Sequence, residues 1–186
     1  MKRFSPNKKG FTLVEEVVAV VLIGILILAS AGMMIGAMRV LTRNIITLNA
    51  QERGMAVMRQ LEEHLKYADA IADSESAEYL ACPYQIKLSV KESGGEYTLQ
   101  ADAAFDQYAD GTPASGTNIL CDLGGFQAKY TIQIDSSDYT AEVYVSVHRN
   151  GTQYYAERRN IKLKNTPALS AAEITDSETL FVGSME

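Results

Sequence analysis

The stretch KKGFTLVEEVVAVVLIGILILASAGMMIGAM, Lys8–Met38, decides the fold, because it sets two adjacent carboxylates, Glu15 and Glu16, at the head of a long apolar run. From Val17 to Met38, 22 residues carry no charge and are interrupted only by small or weakly polar Gly, Ala and Ser. At 1.5 Å per residue a helix of that length spans about 33 Å, enough for a bilayer core. An uncompensated charge inside hydrocarbon costs at least ~2.5 kcal/mol, so ionisable residues in spanning segments are rare and have a task. Lys2, Arg3, Lys8 and Lys9 precede the run and predict an N-terminus held in the cytoplasm. A secretory signal peptide starts the same way, but its apolar core is about 7–15 residues and ends at a small-residue cleavage site. Ala29-Ser30-Ala31 resembles such a site, yet the apolar run continues through Met38, which predicts a retained helix.

The totals set further bounds. A chain of 186 residues allows one ordinary domain plus an anchor. The net charge of -6 hides an asymmetry: residues 39–186 hold 13 Lys and Arg against 21 Asp and Glu, a net of -8. So acidic a surface repels phosphate backbones and disfavours bulk nucleic-acid binding. Cys82 and Cys121 would close a loop of about 40 residues, a bridge contributing about 4 kcal/mol at most. Two buried free thiols are the alternative.

Basic residues, then Gly10, then Phe11-Thr12-Leu13-Val14-Glu15 and a long aliphatic run closely resemble the N-terminus of type IV prepilins and pseudopilins. The resemblance implies cleavage between Gly10 and Phe11 by a prepilin peptidase, and methylation of the new Phe11 amine by the same enzyme. Gly10 suits such a site, since it has no side chain to obstruct a protease approaching the backbone. It also implies that Glu15, fifth after the cut, pairs with the N-terminal amine of a neighbouring subunit and sets axial register in a filament. Such pairing turns a costly lone charge into a compensated one. The simpler reading of Glu15 is a carboxylate complementing the helix macrodipole.

Two features depart from the family pattern. Glu16 occupies a position that is usually apolar, and on a helix it points about 100° away from Glu15, so one amine cannot easily serve both. A tolerated carboxylate at the headgroup level is the expectation for it. The helix also lacks the proline found in many members about twenty residues after the cut, since Pro6, Pro83, Pro113 and Pro167 all lie outside it.

Beyond Met38 the helix is expected to continue as an amphipathic half. Leu41, Ile45, Leu48, Met55, Met58, Leu61, Leu65 and Ala68 recur mostly at three- and four-residue spacing, and predict a stripe laid on a globular domain. Ala50–Ile71 has the look of the second helical half of J-type pseudopilins and W-type minor pilins.

The remainder reads as strands. Tyr84–Lys91 and Glu96–Gln100 flank Ser93-Gly94-Gly95, a hairpin signal. Asn118–Leu123, Phe126–Asp135 and Tyr139–His148 are further candidates. Asn150-Gly151 suits a type I′ hairpin turn, which needs positive φ at both central residues. Asp102–Thr117 reads as a polar loop or short helix, and Asn165–Glu186 as a frayed acidic tail. The expected architecture is therefore α+β and pilin-like: a long N-terminal helix, membrane half plus amphipathic half, packed on an antiparallel β-sheet. Its divisions are a cleaved leader at 1–10, a membrane and filament-core helix at 11–38, an amphipathic half at 39–72, a β-rich head at 73–164 and a flexible tail at 165–186.

No catalytic constellation stands out. His64 and His148 have no nucleophile linked to them, and no CxxC, HExxH, GxSxG or phosphate-cradling glycine loop is present. Asp102, Asp106 and Asp110 recur every four residues and would line one helical face; a calcium site needs six or more oxygens and this spacing is not that of an EF-hand, so calcium there stays a minor alternative, kept only because the resemblance to pseudopilins, some of which bind calcium in loops, implies it. Arg158, Lys162 and Lys164 share strand parity with Tyr154, a pattern open to nucleic-acid contact but better read as a charged, solvated strand face.

The expectation for function is a structural filament subunit, minor rather than bulk, without enzymatic activity or cofactor. Its partners would be a prepilin peptidase, other pilin or pseudopilin subunits, a membrane assembly platform, and lipid before assembly. It would start as a single-pass cytoplasmic-membrane protein and end in an extracytoplasmic filament. A membrane-anchored binding module or adhesin is the rival, and predicts a retained leader and no dependence on Glu15.

Overall fold

A computed structural model describes residues 12–75, 77–105, 114–135, 137–165, 168–169 and 173–184. The chain divides at Ile45 into two compact units. One helix, α1 (Leu13–Leu65), belongs to both.

From Val17 to Met38 the helix is apolar on every side and every residue is exposed, the pattern of a segment whose surroundings are lipid or other helices. The helix is long and apolar enough to cross a membrane. Its weakly polar side chains are satisfied internally: the Ser30 hydroxyl donates to the Leu26 carbonyl at 2.8 Å, and Thr42 to Met38 at 2.9 Å.

In the second unit the helix lies against two sheets. The first is ordered β4-β3-β2-β10-β1-β8, from Ala114–Gly124, Glu96–Phe105, Tyr84–Ser93, Thr179–Ser184, Ala70–Ala72 and Ala168–Leu169. The second is ordered β7-β6-β5-β9, from Thr152–Lys162, Thr140–Arg149, Gln127–Asp135 and Glu173–Ser177. All pairings are antiparallel except the short β1–β8 contact. A four-residue helix, α2 (Ala77–Leu80), separates β1 from β2. One core joins Met58 and Leu61 of α1 to Leu88 and Leu99 of the first sheet and to Ile132 and Val145 of the second. The fold is α+β, with a long N-terminal helix packed on antiparallel sheet, as expected.

Both predicted hairpins form. Gly94 and Gly95 take φ of 65° and 85° between β2 and β3, and Asn150 and Gly151 take 50° and 75° between β6 and β7. These left-handed values are open to glycine and tolerated by asparagine.

Four expectations need correction. Met58, Leu61, Leu65 and Ala68 are buried as expected, but Leu41, Ile45, Leu48 and Met55 are exposed, and Ala50, Gly54 and Val57 complete the buried stripe of α1 instead. Small residues set the packed face, because the Tyr155 ring and Val147 crowd against Gly54.

The helix also stops at Leu65 rather than running through residue 72. Ala70, Ile71 and Ala72 are all buried, as a strand covered on both faces requires, and they form β1 inside the first sheet.

The polar segment at 102–117 is strand at both ends, with Asp102 opposite Thr117 in the β3–β4 ladder.

The C-terminal segment is not a frayed tail. β9 closes one sheet and β10 sits between β2 and β1 in the other, burying Leu180, Phe181 and Val182. Glu178 links the two: its carbonyl accepts from the Val90 amide at 2.8 Å, and its carboxylate meets the Gln127 side chain.

Candidate functional site

The helix starts on a reciprocal cap. Thr12 precedes the first helical residue, and its hydroxyl oxygen accepts from the Glu15 amide at 3.3 Å. In return Glu15 Oε2 accepts from the Thr12 amide at 2.9 Å and from the Thr12 hydroxyl at 3.1 Å. This is a capping box, which satisfies amides that the first turn leaves without helical partners. It also brings a carboxylate to the positive end of the macrodipole. Thr12-Leu13-Val14-Glu15 spells the box in sequence, so the signal was present, though hidden by the stronger question of why the charge is there. Glu15 Oε1 has no hydrogen bond among the described residues. Glu16 is exposed beside it, with its amide bonded to the Thr12 carbonyl at 3.3 Å. Gly10 and Phe11, the expected cleavage pair, lie outside the described residues, as does the leader.

Residues 5–31 match the model of the prokaryotic N-terminal methylation motif. The match covers the basic leader segment, the Gly10–Phe11 pair, Glu15 and the start of the apolar run. Among solved structures it is similar to the PilB minor pilin from Streptococcus sanguinis, at 8% identity and a TM-score of 0.43 over 73% of this chain. The chain matches only 34% of the length of that protein. No curated protein matches it by sequence.

The remaining candidate sites fare differently. No disulfide joins Cys82 to Cys121. The register explains why: Cys121 pairs with Leu99, which pairs with Val90, while Cys82 precedes the opposite end of β2 at Tyr84. Six strand residues alone separate Val90 from Tyr84 by about 20 Å, far beyond the reach of a disulfide. Burial raises both thiol pKa values.

Asp102 lies on β3, where Thr117 Oγ1 donates to Oδ1 at 2.6 Å and Lys91 Nζ to Oδ2 at 3.0 Å. The hydroxyl first and the ammonium second hold its carboxyl below the usual carboxylate range. A strand residue cannot share a helical face at four-residue spacing, so the supposed aspartate ladder fails at its first member. Asp106 and Asp110 lie outside the described residues. No group of three or more metal-ligating side chains occurs among the described residues.

The two histidines do not meet. Burial pushes the His64 pKa down, opposed by the neighbouring Glu63, and His148 Nε2 lies 3.0 Å from the Ser146 hydroxyl.

Proposed function

We propose that the chain is a subunit, minor rather than bulk, of a type IV pilus or of a related secretion or competence pseudopilus. The observation that carries this reading is the capped glutamate of a methylation-motif helix, with one carboxylate oxygen free of hydrogen bonds among the described residues. Prepilin peptidase cuts between Gly10 and Phe11 on the cytoplasmic side and methylates Phe11. The subunit then waits in the membrane with its N-terminus inward until a platform draws it into a filament. Pairing of Glu15 with the Phe11 amine of a neighbour compensates both charges in the apolar filament core and fixes register. The head faces outward, and no reaction is assigned to it.

The capping box gives Glu15 a second, purely local use, as expected of an anchored binding module that never polymerises. Glu15→Gln separates the two, because glutamine retains the reciprocal cap but not the charge. In the native host the variant is expected to be inserted and folded at normal abundance yet to be lost from sheared filaments. Incorporation at the level of the unsubstituted chain would mean that capping alone accounts for Glu15.

A further inference from the structure

Three elements of the head converge at the end of β7. The Lys164 amide donates to the Lys66 carbonyl at 2.8 Å, tying the strand to the turn after α1. The Leu163 amide donates to the Tyr139 carbonyl at 2.8 Å, tying it to the β5–β6 turn. Asn165 Nδ2 donates to the Tyr67 carbonyl at 3.1 Å. Backbone bonds therefore fix what this corner presents.

It presents both signs of charge. Lys66, Lys162 and Lys164 border a cleft of about 380 Å³ together with Glu62 and Asn160. None of these lysines is ion-paired among the described residues, whereas Glu62 accepts from Arg159 at 2.9 Å, a guanidinium it shares with Glu157. Asn160 also borders the neighbouring cleft of about 650 Å³, where Asp135 and Asp138 stand exposed. Three lysines without an ion pair thus stand beside two exposed aspartates on one surface of the head.

Two tyrosines lie beside these charges. Tyr139 is 46% exposed and Tyr67, with the Lys66 ammonium 5.5 Å over its ring, is 56% exposed. Tyr139 has φ of 50°, a left-handed backbone that a bulky side chain rarely adopts. Exposed tyrosines are the residues that interface cores favour.

We infer that this corner is a docking surface for a second copy of the same chain. A long polyanion attracted to the lysines would meet Asp135 and Asp138 beside them, in a head of net negative charge. A second copy turned by a two-fold rotation meets no such conflict. Its aspartates face the lysines and its lysines face the aspartates, which is the self-complementarity an isologous contact requires. The inference rests on unit geometry and charge alone, and stands apart from the filament reading.

The test uses the full-length chain purified in uncharged detergent and sedimented at low and high salt. The expected result is a dimer at low salt that dissociates as salt screens the contact. Lys162→Glu with Lys164→Glu is expected to weaken association by about tenfold or more, and so is Asp135→Lys with Asp138→Lys, since each turns attraction into repulsion. Mixing the two variants is expected to restore the dimer, because every facing pair is again opposite in sign. That rescue also excludes misfolding as the cause of the losses. Association indifferent to both variants, losses without rescue, or a monomer that binds polyphosphate instead would each overturn the inference.

Discussion

The ring of Tyr155 occupies the space that a side chain at Gly54 would need: a Cβ added to Gly54 would lie 2.3 Å from Tyr155 Cδ1 and 3.1 Å from Val147 Cγ2. The contact seats α1 on the β6–β7 hairpin, and the same tyrosine continues into an ionic chain. Its hydroxyl donates to Glu157 at 2.5 Å, Glu157 accepts from Arg159 at 2.7 Å, and Arg159 reaches back to Glu62 of α1 at 2.9 Å.

Gly54→Ala is therefore expected to destabilise the head, although alanine is the better helix former by about 1 kcal/mol. Overpacking a close contact costs about 1–3 kcal/mol, which leaves a net loss of up to about 2 kcal/mol. Urea unfolding checks the loss. Combining Gly54→Ala with Tyr155→Ala should cost less than the sum of the two, because the second change removes the clash. Strict additivity would mean that the helix is not seated on this ring.

Stability should fall at both ends of the pH scale, for opposite reasons. The Tyr155 hydroxyl and then the Arg159 guanidinium hold Glu157 below the usual carboxylate range, as Thr117 and then Lys91 do for Asp102. Carboxyls depressed in the folded state contribute stability that is present above their ordinary pKa of about 4 and is lost as pH falls through the folded values. Tyr155 is pushed up to about 12, by burial and then by its bond to Glu157. Its contribution is complete below the ordinary tyrosine value of about 10 and disappears as pH rises toward the folded one. Melting temperature against pH should thus show a plateau with two falling limbs. Glu157→Gln should make the acid limb shallower, leaving the part due to Asp102, and Tyr155→Phe should make the alkaline limb shallower, leaving the part due to buried Tyr130, whose pKa burial also raises.

Removing residues 178–186 should abolish folding of the head. The deletion takes out β10 from between β2 and β1, together with the Glu178 link between the sheets. It also removes buried Leu180, Phe181 and Val182, each worth about 1.5–3 kcal/mol of burial, against a typical total stability of 5–15 kcal/mol. A truncated head that keeps its near-ultraviolet circular dichroism and cooperative melting would contradict the placement of β10.

How far the sequence could be read follows from the kind of signal each element carries. The N-terminal helix was legible because a run without charge and a local motif need no knowledge of tertiary contacts. The hairpins were legible because Gly94-Gly95 and Asn150-Gly151 need positive φ, which few residues supply. The helix face was read correctly at Met58, Leu61 and Leu65 but missed farther up, because the positions that touch the head there, Ala50 and Gly54, are small, and hydrophobicity counts weight size rather than closeness of approach. The C-terminal strands were missed for a related reason. Thr179–Ser184 is short and lies among Glu and Ser, and only its partners, distant in sequence on β1 and β2, make it central to a sheet. The cysteine alternative stayed open because spacing along a chain says nothing of register across strands. The Thr12–Glu15 cap was readable from four letters, and its geometry changes how Glu15 must be tested, since alanine removes cap and charge together.

The most direct test of the central claim is the mass of the N-terminal peptide of the protein purified from membranes of its own host. A peptide that begins at a methylated Phe11 is the predicted result, and would place the chain among processed filament subunits. An intact leader from Met1 through Gly10, in cells whose prepilin peptidase is active on other substrates, would contradict the account and leave a membrane-anchored module in its place.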